Sequence, residues 1–134
     1  MKRYVLDANA VLDLVESGVG AQRVRSILRE AHAGRAECAI SVINWGEVYY
    51  TLWQKRGEEK ANQTLAKLSQ ISLEIVPVDL AQALKAGELK AVHRIPYVDC
   101  VAAALAALRQ STLVTTDRDF EKLGRHFPVL WLSR

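Results

Sequence analysis

Arg3-Tyr4-Val5-Leu6-Asp7-Ala8-Asn9-Ala10 is an apolar, β-prone run that ends on a carboxylate and passes at once into helical sequence. Residues 3–7 therefore read as a buried strand with Asp7 at its tip. The same design returns late in the chain, where Thr112-Leu113-Val114-Thr115-Thr116 leads into Asp117. Between these two runs the pattern alternates. Helical stretches are expected at 9–17, 21–33, from Ser41 to about Arg56, at 58–70, from Asp79 to roughly Val92, and from Pro96 through Gln110. Short strands are expected at 37–40, 73–78, 112–116 and 129–132, and a short helix near 118–124. Gly18 and Gly20 break the first helix, Gly34 stops the second, and Ser41 and Asp79 are natural caps. Alternation of this kind predicts an α/β domain with a central, mostly parallel sheet and helices on both faces. Ligands of such sheets gather at the carboxyl ends of strands, where Asp7 and Asp117 stand.

Two further acids lie in mostly apolar helical sequence. Glu47 sits within Asn44-Trp45-Gly46-Glu47-Val48-Tyr49-Tyr50, where helical spacing places Asn44, Glu47 and Thr51 on one stripe and Trp45, Val48 and Leu52 on the core side. Asp99 sits in the first turn of Pro96-Tyr97-Val98-Asp99-Cys100-Val101-Ala102-Ala103-Ala104, a helix so rich in alanine and leucine that it must be largely buried. A carboxylate against a core is costly unless something positive lies beside it. If Asp7, Glu47, Asp99 and Asp117 converge, they form a pocket for a divalent cation.

Each acid also has a structural reading. Asp7 could be a metal ligand or an N-cap; Asn9 could be that cap or an outer hydrogen-bonding partner. Of Asp117 and Asp119, one could be a ligand and the other a helix cap, with Asp117 nearer the strand tip. Thr115 and Thr116 could hydrogen-bond a carboxylate or a phosphate, or simply pack in a strand. Arg94 and Arg118 flank the acidic motifs and are candidates for holding a phosphate backbone; Lys55 and Arg56 lie further off. Trp45, Tyr49, Tyr50 and Trp53 crowd one helix and cannot all face inward, so some could line a partner surface.

Composition bounds the rest. A chain of 134 residues, half of them apolar and a quarter charged, builds one domain spanning 1–134. No apolar run suits a membrane span or a secretory signal, and Cys38 and Cys100 read as buried reduced thiols, all of which point to the cytoplasm. His32, His93 and His126 have no ligand spacing and read as solvated. Setting aside four site carboxylates from 15 acidic residues leaves 11 against 18 Lys and Arg, a basic body around an acidic pocket. That balance suits a polyanion held at the surface and cut at a metal.

Taken in order, the strand ending in Asp7-Ala8-Asn9, Ser41 with Glu47, the run from Pro96 through Asp99 to Ala104, and Thr115-Thr116-Asp117-Arg118-Asp119-Phe120 resemble the four acidic motifs of the PIN domain. Order, spacing and length most resemble the VapC-like toxins of bacterial and archaeal toxin–antitoxin pairs. Cys100 stands where that family usually has alanine and is sterically compatible. The resemblance implies a Mg²⁺- or Mn²⁺-dependent ribonuclease with Asp7, Glu47, Asp99 and Asp117 as its acidic site. It further implies a homodimer and a small DNA-binding antitoxin as partner. Two other readings share the scaffold: an inactive RNA- or protein-binding module, and a housekeeping RNA-processing nuclease. A phosphotransfer receiver would need an acidic pair after the first strand and a late lysine. A haloacid-dehalogenase-type hydrolase would need an acid at position 9, and dinucleotide binding would need a Gly-rich turn after the first strand. None of these is present.

Overall fold

Residues 1–132 are described by the structure, a computed structural model. Strand β1 (Lys2–Leu6) lies in the middle of a single sheet. It pairs in parallel with β2 (Ala36–Ser41) on one side and with β4 (Thr112–Thr115) on the other. β3 (Glu74–Val76) adds to β2 and β5 (Val129–Trp131) to β4, again in parallel, giving the order β3-β2-β1-β4-β5. The chain winds outward from β1 to β3, then crosses back to start β4 on the far side of β1. The carboxyl ends of β1 and β4 thus flank the point where the winding reverses, which is where such sheets leave a crevice.

Helices supply the crossovers that parallel pairing demands. α1 (Ala8–Val15) and α2 (Ala21–His32) join β1 to β2. α3 (Val42–Arg56) and α4 (Glu58–Leu68) join β2 to β3, and α5 (Leu80–His93) and α6 (Tyr97–Leu108) join β3 to β4. A 3₁₀ helix, Arg118–Leu123, stands where a short helix is expected. β3 is shorter than expected because Pro77 follows it and has no N–H to give the ladder.

Strand periodicity divides the core in two. Val5, Ala39 and Leu113 face α5 and α6; Leu6, Cys38, Ile40 and Val114 face α1 to α4. α6 is buried all round, from Asp99 to Ala106 without a break. Its alanines let sheet and neighbouring helices close in, and they carry Asp99 into the interior with them. Ser41 and Asp79 cap α3 and α5 through the amides of Ile43 and Gln82. After α1 the chain is drawn onto Asp13, whose Oδ2 accepts the Gly20 amide at 2.6 Å. A Cβ on Gly20 would lie 2.7 Å from the Leu132 Cβ, so this position needs glycine for lack of room, while one on Gly18 would force the Asp13 carboxylate aside.

Cys38 and Cys100 are free and buried. No single helix among the described residues is long and apolar enough to cross a membrane; α5 and α6 pass that test only as a pair, bent by 119°. On α3, Val48 and Leu52 are fully buried and Trp45 partly so, while Tyr50 and Trp53 are exposed. Tyr49 meets Trp53 edge-on at 5.6 Å and donates its hydroxyl proton to Asn62 Oδ1 at 2.8 Å.

Candidate metal centre

Asp7 ends β1 and is 3% exposed. It is N-cap and buried acid at once. Its Oδ1 accepts the Ala10 amide at 2.9 Å, and its Oδ2 accepts the Thr115 hydroxyl from the neighbouring strand. The cap therefore belongs to Asp7, and Asn9, read as a possible cap, is exposed instead. Asn at that position falls two residues too late: the capping geometry requires the residue whose backbone is still extended, and that is Asp7.

Thr115 does more than pack. While its hydroxyl donates to Asp7, its Oγ1 accepts the backbone N–H of Asp117 at 2.9 Å. One fully buried hydroxyl thus links the acids at the ends of β1 and β4. Asp117 in turn caps the 3₁₀ helix, its Oδ1 accepting the Asp119 amide at 2.9 Å. That cap turns the chain so that Asp119 points back beside Asp117. Among the described residues, one set of acids has carboxylate oxygens all within 4.8 Å of one another: Asp99, Asp117 and Asp119. The doublet is thus not divided into one ligand and one cap. Asp117 is the cap and its carboxylate lies in the cluster as well, and Asp119, ranked second in the sequence, lies beside it.

Glu47 is half-buried on α3. Asn44, one turn earlier and 1% exposed, donates from Nδ2 to Glu47 Oε1 at 3.4 Å and to the Val98 carbonyl at 3.2 Å. It ties the helix of Glu47 to the first turn of the helix of Asp99. The buried Asn44 Oδ1 has no partner in the structure. Sequence spacing put Asn44 on the stripe of Glu47, but its tie to α6 spans 54 positions and left no local signal.

The electrostatics follow from this crowding. Burial above all pushes the Asp7 carboxyl up to about 7; the bonds from Thr115 and Ala10 pull it down, and the charges of Asp117 and Glu47 push it up again. Asp99 is also pushed up to about 7, first by burial and then by Asp117, Asp7, Glu47 and Asp119 in turn. Glu47 is raised by burial, lowered by its bond from Asn44 and raised by Asp117. Burial first and the neighbouring carboxylates second thus hold Asp7, Glu47 and Asp99 back from the charged state. Holding Asp7 ionised costs on the order of 4 kcal/mol, about what two buried leucines contribute, so the fold can carry it. The clustered donors are carboxylate oxygens, hard ligands of the kind a divalent cation takes.

The other expected residues are distributed as follows. The Arg118 guanidinium lies over the Trp131 ring, 4.5 Å from its centroid, and 3.9 Å from Glu121. Arg94 ends α5 in the left-handed conformation (φ 59°) and is exposed. Lys55 pairs with Glu16 at 3.4 Å, on another part of the surface. His32 and His126 are exposed and His93 is half-buried.

Known proteins share this arrangement of elements. The crystal structure of VapBC2 from Rickettsia felis, bound to a promoter DNA fragment, contains a chain that superposes with a TM-score of 0.76 at 21% identity, over 96% of this chain and 97% of that one. DNA-bound VapBC from Salmonella typhimurium gives 0.75 at 19% identity, over 98% and 99%. VapC20 from Mycobacterium tuberculosis, a sarcin–ricin loop cleaving toxin, gives 0.71 at 17% identity, over 90% and 95%. No curated protein matches the sequence. The sequence itself matches the PIN domain over residues 4–126. With its all-parallel sheet and its acids gathered where the winding reverses, this chain belongs to the PIN domain family.

Proposed function

We propose that this protein is a metal-dependent endoribonuclease, the toxin of a VapBC-type toxin–antitoxin pair. The observation that carries the reading is the convergence of Asp99, Asp117 and Asp119, backed by Asp7 and Glu47 in the same field. Asp99, Asp117 and Asp119 would hold Mg²⁺ or Mn²⁺, a choice supported by their all-oxygen chemistry. When bound, such an ion supplies charge neutralisation at a phosphodiester and lowers the pKa of water. The chain's own residues do the remaining work. Thr115 and the Ala10 amide fix both oxygens of Asp7, so its charge stays aimed at the cluster. Asn44 holds Glu47 against the Asp99 helix. The buried α6 wall keeps bulk water from the inner side of the site.

The partners follow from the family and the surface. Neighbours of matching fold occur in DNA-bound VapBC complexes, one of them on a promoter fragment, which supports a small DNA-binding antitoxin. Exposed Leu80, Leu84 and Val92 on α5, with Tyr50 and Trp53 on α3, offer apolar surface for a second copy or that antitoxin. The set of acids is complete, which favours a working nuclease over an inactive binding module.

The deciding experiment incubates purified protein with total cellular RNA in Mn²⁺, in Mg²⁺ and in EDTA, beside an Asp99→Asn preparation. Metal-dependent cleavage by the wild type alone is expected. Equal cleavage by Asp99→Asn would assign the activity to a contaminant and overturn the reading.

A further inference from the structure

Trp131 stands in register with Thr115 across the β4–β5 pair, one strand away from the hydroxyl that binds Asp7. Adjacent strands lie about 4.8 Å apart, so the indole sits at the level of the acidic cluster. It is also tied to that cluster: Arg118, between Asp117 and Asp119, lays its guanidinium over the ring at 4.5 Å. Arg118 keeps 44% of its side chain exposed. On the outer edge of the sheet, Trp131 lines a cleft of about 430 Å³ together with Phe127, Pro128, Val129, Glu121 and Arg125. That volume lies within the range of small-molecule sites. A larger cleft, about 680 Å³, is lined by Met1, Lys2 and Arg35 at the start of β1, the end of the sheet opposite Asp7.

We propose that the Trp131 cleft seats one unstacked nucleobase of the RNA strand whose phosphate lies at the acidic cluster. The inference rests on the ribonuclease reading and goes beyond it by naming how the strand is held. The lining combines the aromatic rings of Trp131, Phe120 and Phe127 with one cationic donor, Arg125, and one anionic acceptor, Glu121. A base has the same division, an apolar face and a polar edge. Single-stranded RNA is gripped in this way, by stacking on aromatic rings and guanidinium planes. The cleft's one lining cation, Arg125, is offset by Glu121, so the cleft suits a base better than the anionic backbone. Arg118 pinned over Trp131 keeps the ring's distance from the acids fixed, so that a seated base sets which phosphate reaches them.

The test uses fluorescently labelled RNA hexamers and cleavage-dead Asp99→Asn protein. One hexamer carries mixed bases; the other has the same backbone and charge but no bases. Anisotropy titrations should show the base-bearing hexamer bound more tightly, by roughly 5- to 150-fold for one stacked base. Adding Trp131→Leu should bring the two affinities together, and Trp131→Phe should keep most of the preference. Equal binding of both hexamers, no measurable binding of the base-bearing one, or a preference that survives Trp131→Leu would overturn the proposal. Should Trp131→Leu fail to fold, the comparison of the two hexamers on the intact ring still decides. RNA cleavage by the wild type without any base preference sinks the cleft alone. A base preference without metal-dependent cleavage sinks the nuclease and leaves the cleft.

Discussion

Asp7 and Asp99 are acids that the folded protein prefers protonated. Their unfolded carboxyls titrate near 3.8 and their folded ones at about 7. Between those values the folded chain holds protons that the unfolded chain has released, so stability falls as pH rises and the full penalty applies above 7. In EDTA, the wild-type melting temperature should therefore be lower at pH 8 than at pH 5.5. Asp99→Asn should flatten part of that slope and melt above the wild type at pH 8, while losing cleavage by about two orders of magnitude or more. A wild-type melting temperature that climbs across this interval in EDTA contradicts the electrostatic account. Asn44 gives a second expectation. Asn44→Ala leaves Glu47 and the Val98 carbonyl without their shared donor inside the protein, at about 1–3 kcal/mol in denaturant unfolding. At this scale the sequence showed which side chains were out of place among apolar neighbours. It named the Thr115 hydroxyl as a possible partner of a carboxylate but could not say that the carboxylate is Asp7, which lies 108 positions away.

Elements were largely legible because their signals are local. The apolar runs of β1 and β4, the cap at Ser41 and the alanine-rich face of α6 each follow from periodicity and capping within a few residues. What local pattern missed was set by neighbours. β3 stops at Glu74–Val76 although the apolar pattern runs on, and the segment after Asp117 winds as a 3₁₀ helix. The Asp117/Asp119 doublet looked like a choice between ligand and cap because helical bookkeeping assigns one acid to each. The tight turn made by that cap instead puts both on the same side. The loop between α1 and α2 carries its own test. Gly20→Ala sets a methyl 2.7 Å from both the Leu132 Cβ and Asp13 Oδ2, so it should cost about 1–3 kcal/mol of stability without touching the acids. Thermal unfolding checks it; an unchanged melting temperature would mean that the loop is free to move aside.

The whole molecule unites a basic body with an acidic crevice, and both halves of that division can be measured. Mg²⁺ or Mn²⁺ should raise the melting temperature, and by more at pH 8 than at pH 6, because protons compete with the ion for Asp7 and Asp99. The same melting curve with and without millimolar metal would remove the ion from the site. RNA cleavage should weaken steeply as salt rises if Lys and Arg hold the backbone; a flat response would leave the basic surface without that role. Convergence of the acids is the feature that no window of sequence contains, since it depends on the order in which strands are laid beside one another. That order has a consequence for the cell that makes the protein. β1 receives its neighbour β4 only after β2, β3 and six intervening helices have been translated. A nascent chain on the ribosome carries Asp7 long before Asp117 and Asp119 exist, so the acidic cluster cannot assemble until the residues after β4 have emerged.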